Sequence, residues 1–330
     1  MATKPRVVNV YSAQPPPRRR TCSYILLTCA AIVLFGSSHL FHARGGHRCR
    51  LARALSAGEF RVFSHRSFHD SGQSAQPSCR DSLERLRSIG VTHLDLDLVL
   101  APEPDDDMLR QIDKWIFDHD AGNELFVAHP MEYKRESSYY SPCANQKFDD
   151  VVGYLKDVYR DEDWFISLEP KASWNNSPEE LSDLALTSFP SDILQVLLDK
   201  VKEHNLKGHC AAIVEIKQNK HSQGETDRQR SLLDEIRRHC QLFRGIRLQD
   251  GAPTTMDGYD VLMPTIEFHP SHPHNADHVS IPDDISRKSI FWVVDSEADL
   301  DRAAELRPYG IVSNKPGRIV DIIKSKSWCR

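Results

Sequence analysis

The chain has 330 residues, with 42 Lys and Arg against 47 Asp and Glu, for a formal net charge of −5. That length allows one large domain with a substantial core. The mild acidity gives no sign of a nucleic-acid partner, and the absence of C-x-x-C pairs argues against a structural zinc site.

Residues 1–21 hold Lys4, Arg6 and the "QPPPRRR" run but no acid, a basic Pro/Arg-rich tail without the pattern of a packed core. "CSYILLTCAAIVLFGSSHLF" (22–41) is strongly apolar from Tyr24 to Phe35 and approaches the roughly 20 residues that span a bilayer. A basic start before an apolar run fits a signal anchor or a cleaved signal peptide. The uncleaved anchor is the preferred reading, with Gly36–Ser38 a weak cleavage candidate. The expectation is therefore a single-pass membrane protein with its main domain lumenal or extracellular, secreted if the segment is cleaved. Residues 42–59 are a linker. Six cysteines lie outside the apolar segment, an even number compatible with disulfides in an oxidising compartment. The sequon at Asn175 is a poor one, because Pro178 follows it.

From residue 60 onwards, strand-like and helix-like segments alternate. "FRVFSH" (60–65) is a strand ending in His65 and Arg66. "CRDSLERLRSIG" (79–90) is an amphipathic helix with Gly90 as its stop. "THLDLDLVL" (92–100) is a strand whose period of two puts Leu94, Leu96 and Leu98 on one face, with Asp95 and Asp97 on the other. A half-exposed polar face explains that pattern. So does a shared divalent cation, which removes the repulsion between neighbouring carboxylates.

"ELFVAH" (124–129) ends in His129 and is closed by Pro130. A segment without periodicity follows at 131–147, carrying Tyr133, Lys134, Arg135, Tyr139 and Tyr140. A loop of that length is a lid or a surface insertion, and as a lid it would suit a substrate with an acyl chain. "WFISLE" (164–169) ends in Glu169, with Pro170 and Lys171 after it. Proline lacks the N–H a central strand needs, so both strands should stop there, leaving His129 and Glu169 at their ends.

Further strands are read at 210–217, 243–248, 260–268, 289–294 and 309–314, and helices at 191–204, 226–239 and 295–307, the last opening on a cap-like Asp295–Ser296. Glu215 repeats a Glu-x-Lys pattern and ranks second to Glu169. The four His of "EFHPSHPHNADH" (267–278) read as a Pro-broken surface loop rather than a zinc site.

Nine strand candidates alternating with helices predict an α/β fold, a (β/α)8 TIM barrel over 60–325 with one strand extra or bent, preceded by the membrane segment. A doubly wound sheet is the runner-up, without a G-x-G-x-x-G or Walker loop to support it. Barrel chemistry gathers at the C-terminal strand ends. There the sequence puts His65, Arg66, Asp95, Asp97, His129, Glu169 and Lys171. Three acids can hold Mg²⁺ or Ca²⁺, two His can exchange protons, and Arg and Lys can neutralise a phosphate.

In this order, "SHRS", "LDLDL", "VAHP", "LEPK", "FWVVDSEADLDRAAEL" and "GIVSNKP" resemble the glycerophosphodiester phosphodiesterase family, within the phospholipase-C-like phosphodiesterase superfamily. The resemblance implies a TIM barrel, a divalent cation on Asp95, Asp97 and Glu169, acid–base roles for His65 and His129, and Arg66 and Lys171 at the substrate phosphate. In that family a substrate hydroxyl attacks phosphorus and a cyclic phosphate follows.

The chain departs from the pattern at Ser67, where the family has Gly, and at Asp95, where it has Glu. Pro130 stands where an Asp is expected. "CRDS" replaces the segment that opens the first helix, which leaves Asp81 as a displaced acid or none. The expected activity is a phosphoric diester hydrolase acting on glycerophosphodiesters or lysophospholipids. The alternative is a catalytically degenerate barrel that binds lipid or a surface. A glycosidase-type carboxylate pair leaves His65, Arg66 and His129 unexplained. A disulfide between Cys79 and Cys143, both on the rim of the barrel mouth, is also expected.

Overall fold

The computed structural model describes residues 49–66, 78–101, 124–127, 142–143, 146–170, 191–214, 223–246, 254–264 and 281–325. The chain divides into Met1–Gly45 and Gly46–Arg330, and every described residue belongs to the second unit. No described helix is long and apolar enough to cross a membrane, and the apolar 22–41 segment lies outside the described residues.

Among the described residues, ten strands form one sheet: β1 (Arg61–His65), β2 (His93–Ala101), β3 (Glu124–Val127), β4 (Gln146–Lys147), β5 (Phe165–Pro170), β6 (Cys210–Ile213), β7 (Gln241–Ile246), β8 (Val261–Pro264), β9 (Ile290–Phe291) and β10 (Gly310–Ser313). Eight of them run parallel in the order β8-β7-β6-β5-β2-β1-β10-β9. The two ends meet. Leu262 and Ser289 form a parallel bridge, the Leu262 N–H donates to the Lys288 carbonyl at 3.0 Å, and the Trp292 N–H donates to the Pro264 carbonyl at 3.2 Å. The result is a nearly closed eight-stranded parallel barrel of the TIM type.

The extra strand is "ELFV". β3 pairs antiparallel with the far half of β2, with Leu98 opposite Val127 and Ala101 opposite Glu124, and β4 pairs with β3 in turn. β2 is long enough to serve both partners. Its first six residues pair with β5, and its last four continue past the barrel wall to meet β3. The third barrel strand is therefore β5, not the 124–129 segment. β5 also runs one residue further than expected, to Pro170 opposite Leu98.

Period-two alternation divides the apolar residues into two cores. Leu94, Leu96 and Leu98 face outward under the helices, each fully buried and worth about 1.5–3 kcal/mol. Phe63, Ala211, Ile213, Phe243, Val261, Met263, Ile290 and Val312 fill the barrel interior.

The helices are α1 (residues 49–56), α2 (Cys79–Ser88), α3 (Phe148–Val158), α4 (Ser191–Glu203), α5 (Gln223–Ile236), α6 (Asp283–Ser286), α7 (Glu297–Leu306) and α8 (Pro316–Lys324). The expected linker at 42–59 is thus helical over 49–56, and Leu51 is buried against the outer core. That short helix forms because it has an apolar face to bury.

α2 opens on a capping box formed by Ser78 and Asp81 and ends before Gly90, whose φ of +81° suits glycine. Cys79 is disulfide-bonded to Cys143, as expected, and Cys210 to Cys240; Cys49 is also in a disulfide.

Candidate active site

The site is built on three adjacent strands. β1 and β2 pair with His65 opposite Asp95. β2 and β5 pair with Asp95 opposite Ser167 and Asp97 opposite Glu169. Asp95 and Asp97 share parity with His93, which stacks with Phe165 and packs edge-on to Phe63 inside the barrel. The carboxylates therefore face inward at the C-terminal end, while the leucines between them face the helices. All four groups are enclosed: His65 is 8% exposed, Asp95 4%, Asp97 2% and Glu169 9%. A half-exposed outer face does not account for the "DLD" pattern.

His65, Arg66, Asp95 and Asp97 are each held by named partners. The Ser167 hydroxyl donates to Asp95 Oδ1 at 2.6 Å. Arg66 Nε forms an ion pair with Asp97 Oδ2 at 2.7 Å, and the Arg66 N–H donates to the Asp95 carbonyl at 2.7 Å. Arg66 has a φ of +53°, a left-handed conformation that costs a non-glycine residue about 1–2 kcal/mol. The turn ends β1 and carries the guanidinium across to β2.

His65 is fixed through two further residues. Its Nδ1 lies 2.7 Å from Asn314 Oδ1. Asn314 Nδ2 donates to Asp295 Oδ2 at 2.7 Å, and the Asn314 N–H donates to Asp295 Oδ1 at 2.7 Å. The Ser313 hydroxyl also donates to Asp295 Oδ1, at 2.9 Å. A carboxylate only accepts, so the Asn314 amide must turn its NH₂ to Asp295 and its oxygen to His65. That oxygen requires a proton on His65 Nδ1. Nε2 is then the basic nitrogen of the imidazole.

Asn314 and Asp295 were not among the residues singled out in the sequence. Asp295 reads there as half of a helix cap. In the fold Ser296 alone is the N-cap of α7, and the Asp295 carboxylate turns to the end of β10. Ser167 gave no signal beyond its inward parity with Glu169.

Of the expected site residues, His65, Arg66, Asp95, Asp97 and Glu169 come together. His129 and Lys171 lie outside the described residues, as do Glu215, the 267–278 histidines and the tyrosines of the 131–147 segment. Asp81 is used elsewhere, accepting from the Ser78 N–H in the α2 capping box, where hydrogen bonds from Ser78 hold its carboxyl below the usual range.

Among the described residues, the acids and imidazole whose ligand atoms converge within 4.8 Å are Asp149, Glu203 and His204, outside the barrel on α3 and at the end of α4. The Lys200 ammonium already serves that cluster, 2.5 Å from Asp149 Oδ2 and 3.0 Å from Glu203 Oε2, and His204 Nε2 meets Asp149 Oδ1 at 2.7 Å. Burial opposes the charge on Asp149, but the hydrogen bonds from His204 and Lys200 hold its carboxyl below the usual range. This is an ion-pair knot between two helices.

By donor type the mouth suits a hard divalent cation, although the oxygens of Asp95, Asp97 and Glu169 do not all lie within 4.8 Å of one another in this structure. Asp95, Asp97 and Glu169 are three enclosed carboxylates on neighbouring positions of two hydrogen-bonded strands, and oxygen ligands are what Mg²⁺ and Ca²⁺ take.

No protein-family model and no curated protein sequence matches the chain. Solved structures do. A glycerophosphodiester phosphodiesterase from Parabacteroides distasonis is 16% identical, with a TM-score of 0.49, over 82% of this chain and 98% of that one. An Oleispira antarctica phosphodiesterase, solved with the product sn-glycerol-3-phosphate, is 12% identical, with a TM-score of 0.47, over 82% of this chain and 99% of that one.

Proposed function

We propose that the chain is a metal-dependent phosphoric diester hydrolase acting on glycerophosphodiesters or lysophospholipids. The observation that carries this reading is the convergence of His65, Arg66, Asp95, Asp97 and Glu169 at one end of three adjacent strands, with the His65 tautomer fixed by Asn314 and Asp295. Asp95, Asp97 and Glu169 would hold Mg²⁺ or Ca²⁺, which supplies positive charge for the phosphoryl oxygens when bound.

The residues divide the remaining work. His65 Nε2 takes the proton of the attacking substrate hydroxyl, whose oxygen bonds to phosphorus. The ester oxygen on the far side leaves, and His129 is the candidate to return a proton to it. Arg66 and Lys171 are the candidates to balance the phosphate charge. This step gives a cyclic phosphate and a free alcohol, and water then opens the cyclic phosphate to a monoester, which completes the hydrolysis.

The N-terminal segment at 22–41 would hold the enzyme at a membrane with the barrel on the lumenal or extracellular side. The disulfides Cys79–Cys143 and Cys210–Cys240 support an oxidising compartment. One observation favours a second reading, a binding module without chemistry. Arg66 already neutralises Asp97, which a cation would otherwise do.

Phosphorus NMR on lysophosphatidylcholine and glycerophosphocholine decides between them. A cyclic phosphate signal that His65→Asn abolishes supports the hydrolase. Binding of either compound without turnover supports the module.

A further inference from the structure

The inward positions of β1 are Arg61, Phe63 and His65. His65 stands at the mouth and Phe63 fills the interior, so Arg61 stands at the barrel floor. A cavity of about 370 Å³ opens there, lined by Arg61, His93, Lys324, Ser56, Thr92 and Asp163 among others. The Arg61 guanidinium lies over the Tyr309 ring, 5.6 Å from its centre. Its Nη1 is buried and has no hydrogen-bond partner, and among the described residues no carboxylate lies within ion-pair distance of Arg61. A guanidinium N–H buried without an acceptor is costly, so Nη1 of this half-buried arginine marks a place for an anion's oxygen.

We propose that this floor cavity is a second binding site, for a small phosphate-type oxyanion, free or carried on a monoester. A guanidinium offers a planar fork of donors that matches such oxygens. Lys324, on the last turn of α8, brings a second positive charge to the same cavity; its contact there is the Ile89 carbonyl at 3.5 Å. The Ser56 and Thr92 hydroxyls already pair with the Ala52 carbonyl at 2.9 Å and with His93 Nδ1 at 3.1 Å, so the two cations carry the recognition. Two cations with several N–H donors serve more acceptor oxygens than one carboxylate offers. Asp163, exposed on the rim, limits the site to a compact anion by repelling a second charged group. His93 sits beside Arg61 with Nδ1 3.1 Å from Thr92 Oγ1, so its ring senses the cavity directly. The site stands at the opposite end of the barrel from the mouth and does not depend on the reaction proposed there.

The test uses the full chain in detergent with ring-labelled histidine. His93 is assigned by the loss of its signal in His93→Gln, and inorganic phosphate, glycerol phosphate and acetate are titrated separately. Saturable movement of the His93 signal with either phosphate is expected. Inorganic phosphate alone identifies a free ion, and glycerol phosphate alone a monoester. Affinity should fall about tenfold or more in Arg61→Met, and severalfold in Lys324→Met, whose exposed side chain leaves the core untouched. Turnover at the mouth should stay at the parent level in both. A His93 signal that never moves, that moves only with acetate, or that moves with unchanged affinity in both variants would overturn the site.

Discussion

His65 works through atoms that are not its own. The Asp295 carboxylate fixes the Asn314 amide, and that amide fixes which His65 nitrogen carries the proton. Asp295→Asn frees the amide to turn over and offer its NH₂ to Nδ1, which selects the wrong tautomer. The expected outcome is a fall in kcat of roughly a hundredfold or more with KM nearly unchanged, because only proton transfer is impaired. Steady-state kinetics on the purified variant check it; an unchanged kcat would remove the positioning role.

Part of this was legible at the residue level. The "SHR", "DLD" and "LEP" strand ends carry their chemistry in their parity and their order along the chain. The Asp295–Asn314 link was not legible, because it joins residues 19 positions apart past the ends of β9 and β10, which only their parallel pairing brings together. Asp295 also precedes a true N-cap serine, so local cap chemistry hid its longer reach.

At the scale of elements, β1 and β10 approach more closely than side chains normally permit. A Cβ added at Gly310 would stand 2.7 Å from the Arg61 carbonyl oxygen. Gly310→Ala must therefore push apart two strands that join the mouth residues His65 and Asn314. We expect it to lower stability by about 1–3 kcal/mol, measured by urea unfolding.

His93, stacked on Phe165 near the barrel floor, predicts an acid limit. Burial, together with the charge of Arg61, pushes its imidazole from 6.5 down to about 3. The folded chain then binds fewer protons than the unfolded chain between those values. Stability is fully present above pH 6.5 and falls as the pH drops towards 3, by up to about 1.4 kcal/mol per pH unit from this group. Urea midpoints in phosphate-free buffer should show this slope, and His93→Phe should flatten it.

The element pattern itself was largely legible, since strands and helices alternate with clear periodicity. The exception was "ELFV", whose composition suits a barrel strand. Its partner decides its role, and nothing local in the sequence tells that β2 extends beyond the wall to take it.

Over the whole molecule, the barrel buries an excess of acid at its mouth and bolts the rim with a covalent link. Cys79 opens α2, and Cys143 lies 64 residues further on. Closing a loop of that length restricts the unfolded chain by about 4 kcal/mol in the chain-entropy account. Cys79→Ala with Cys143→Ala should lower the urea midpoint accordingly, and an unchanged midpoint would indicate that the bond constrains nothing.

The central claim is that the buried carboxylates serve a cation and that the cation serves hydrolysis. The most direct measurement is phosphodiesterase turnover by the full chain on lysophosphatidylcholine and glycerophosphocholine, in chelator and then with Mg²⁺ or Ca²⁺ restored, beside Asp97→Asn. We predict turnover that chelator abolishes, that one of the two cations restores, and that Asp97→Asn lacks under every condition. Turnover indifferent to chelator, or none on either compound with both cations supplied, would contradict it.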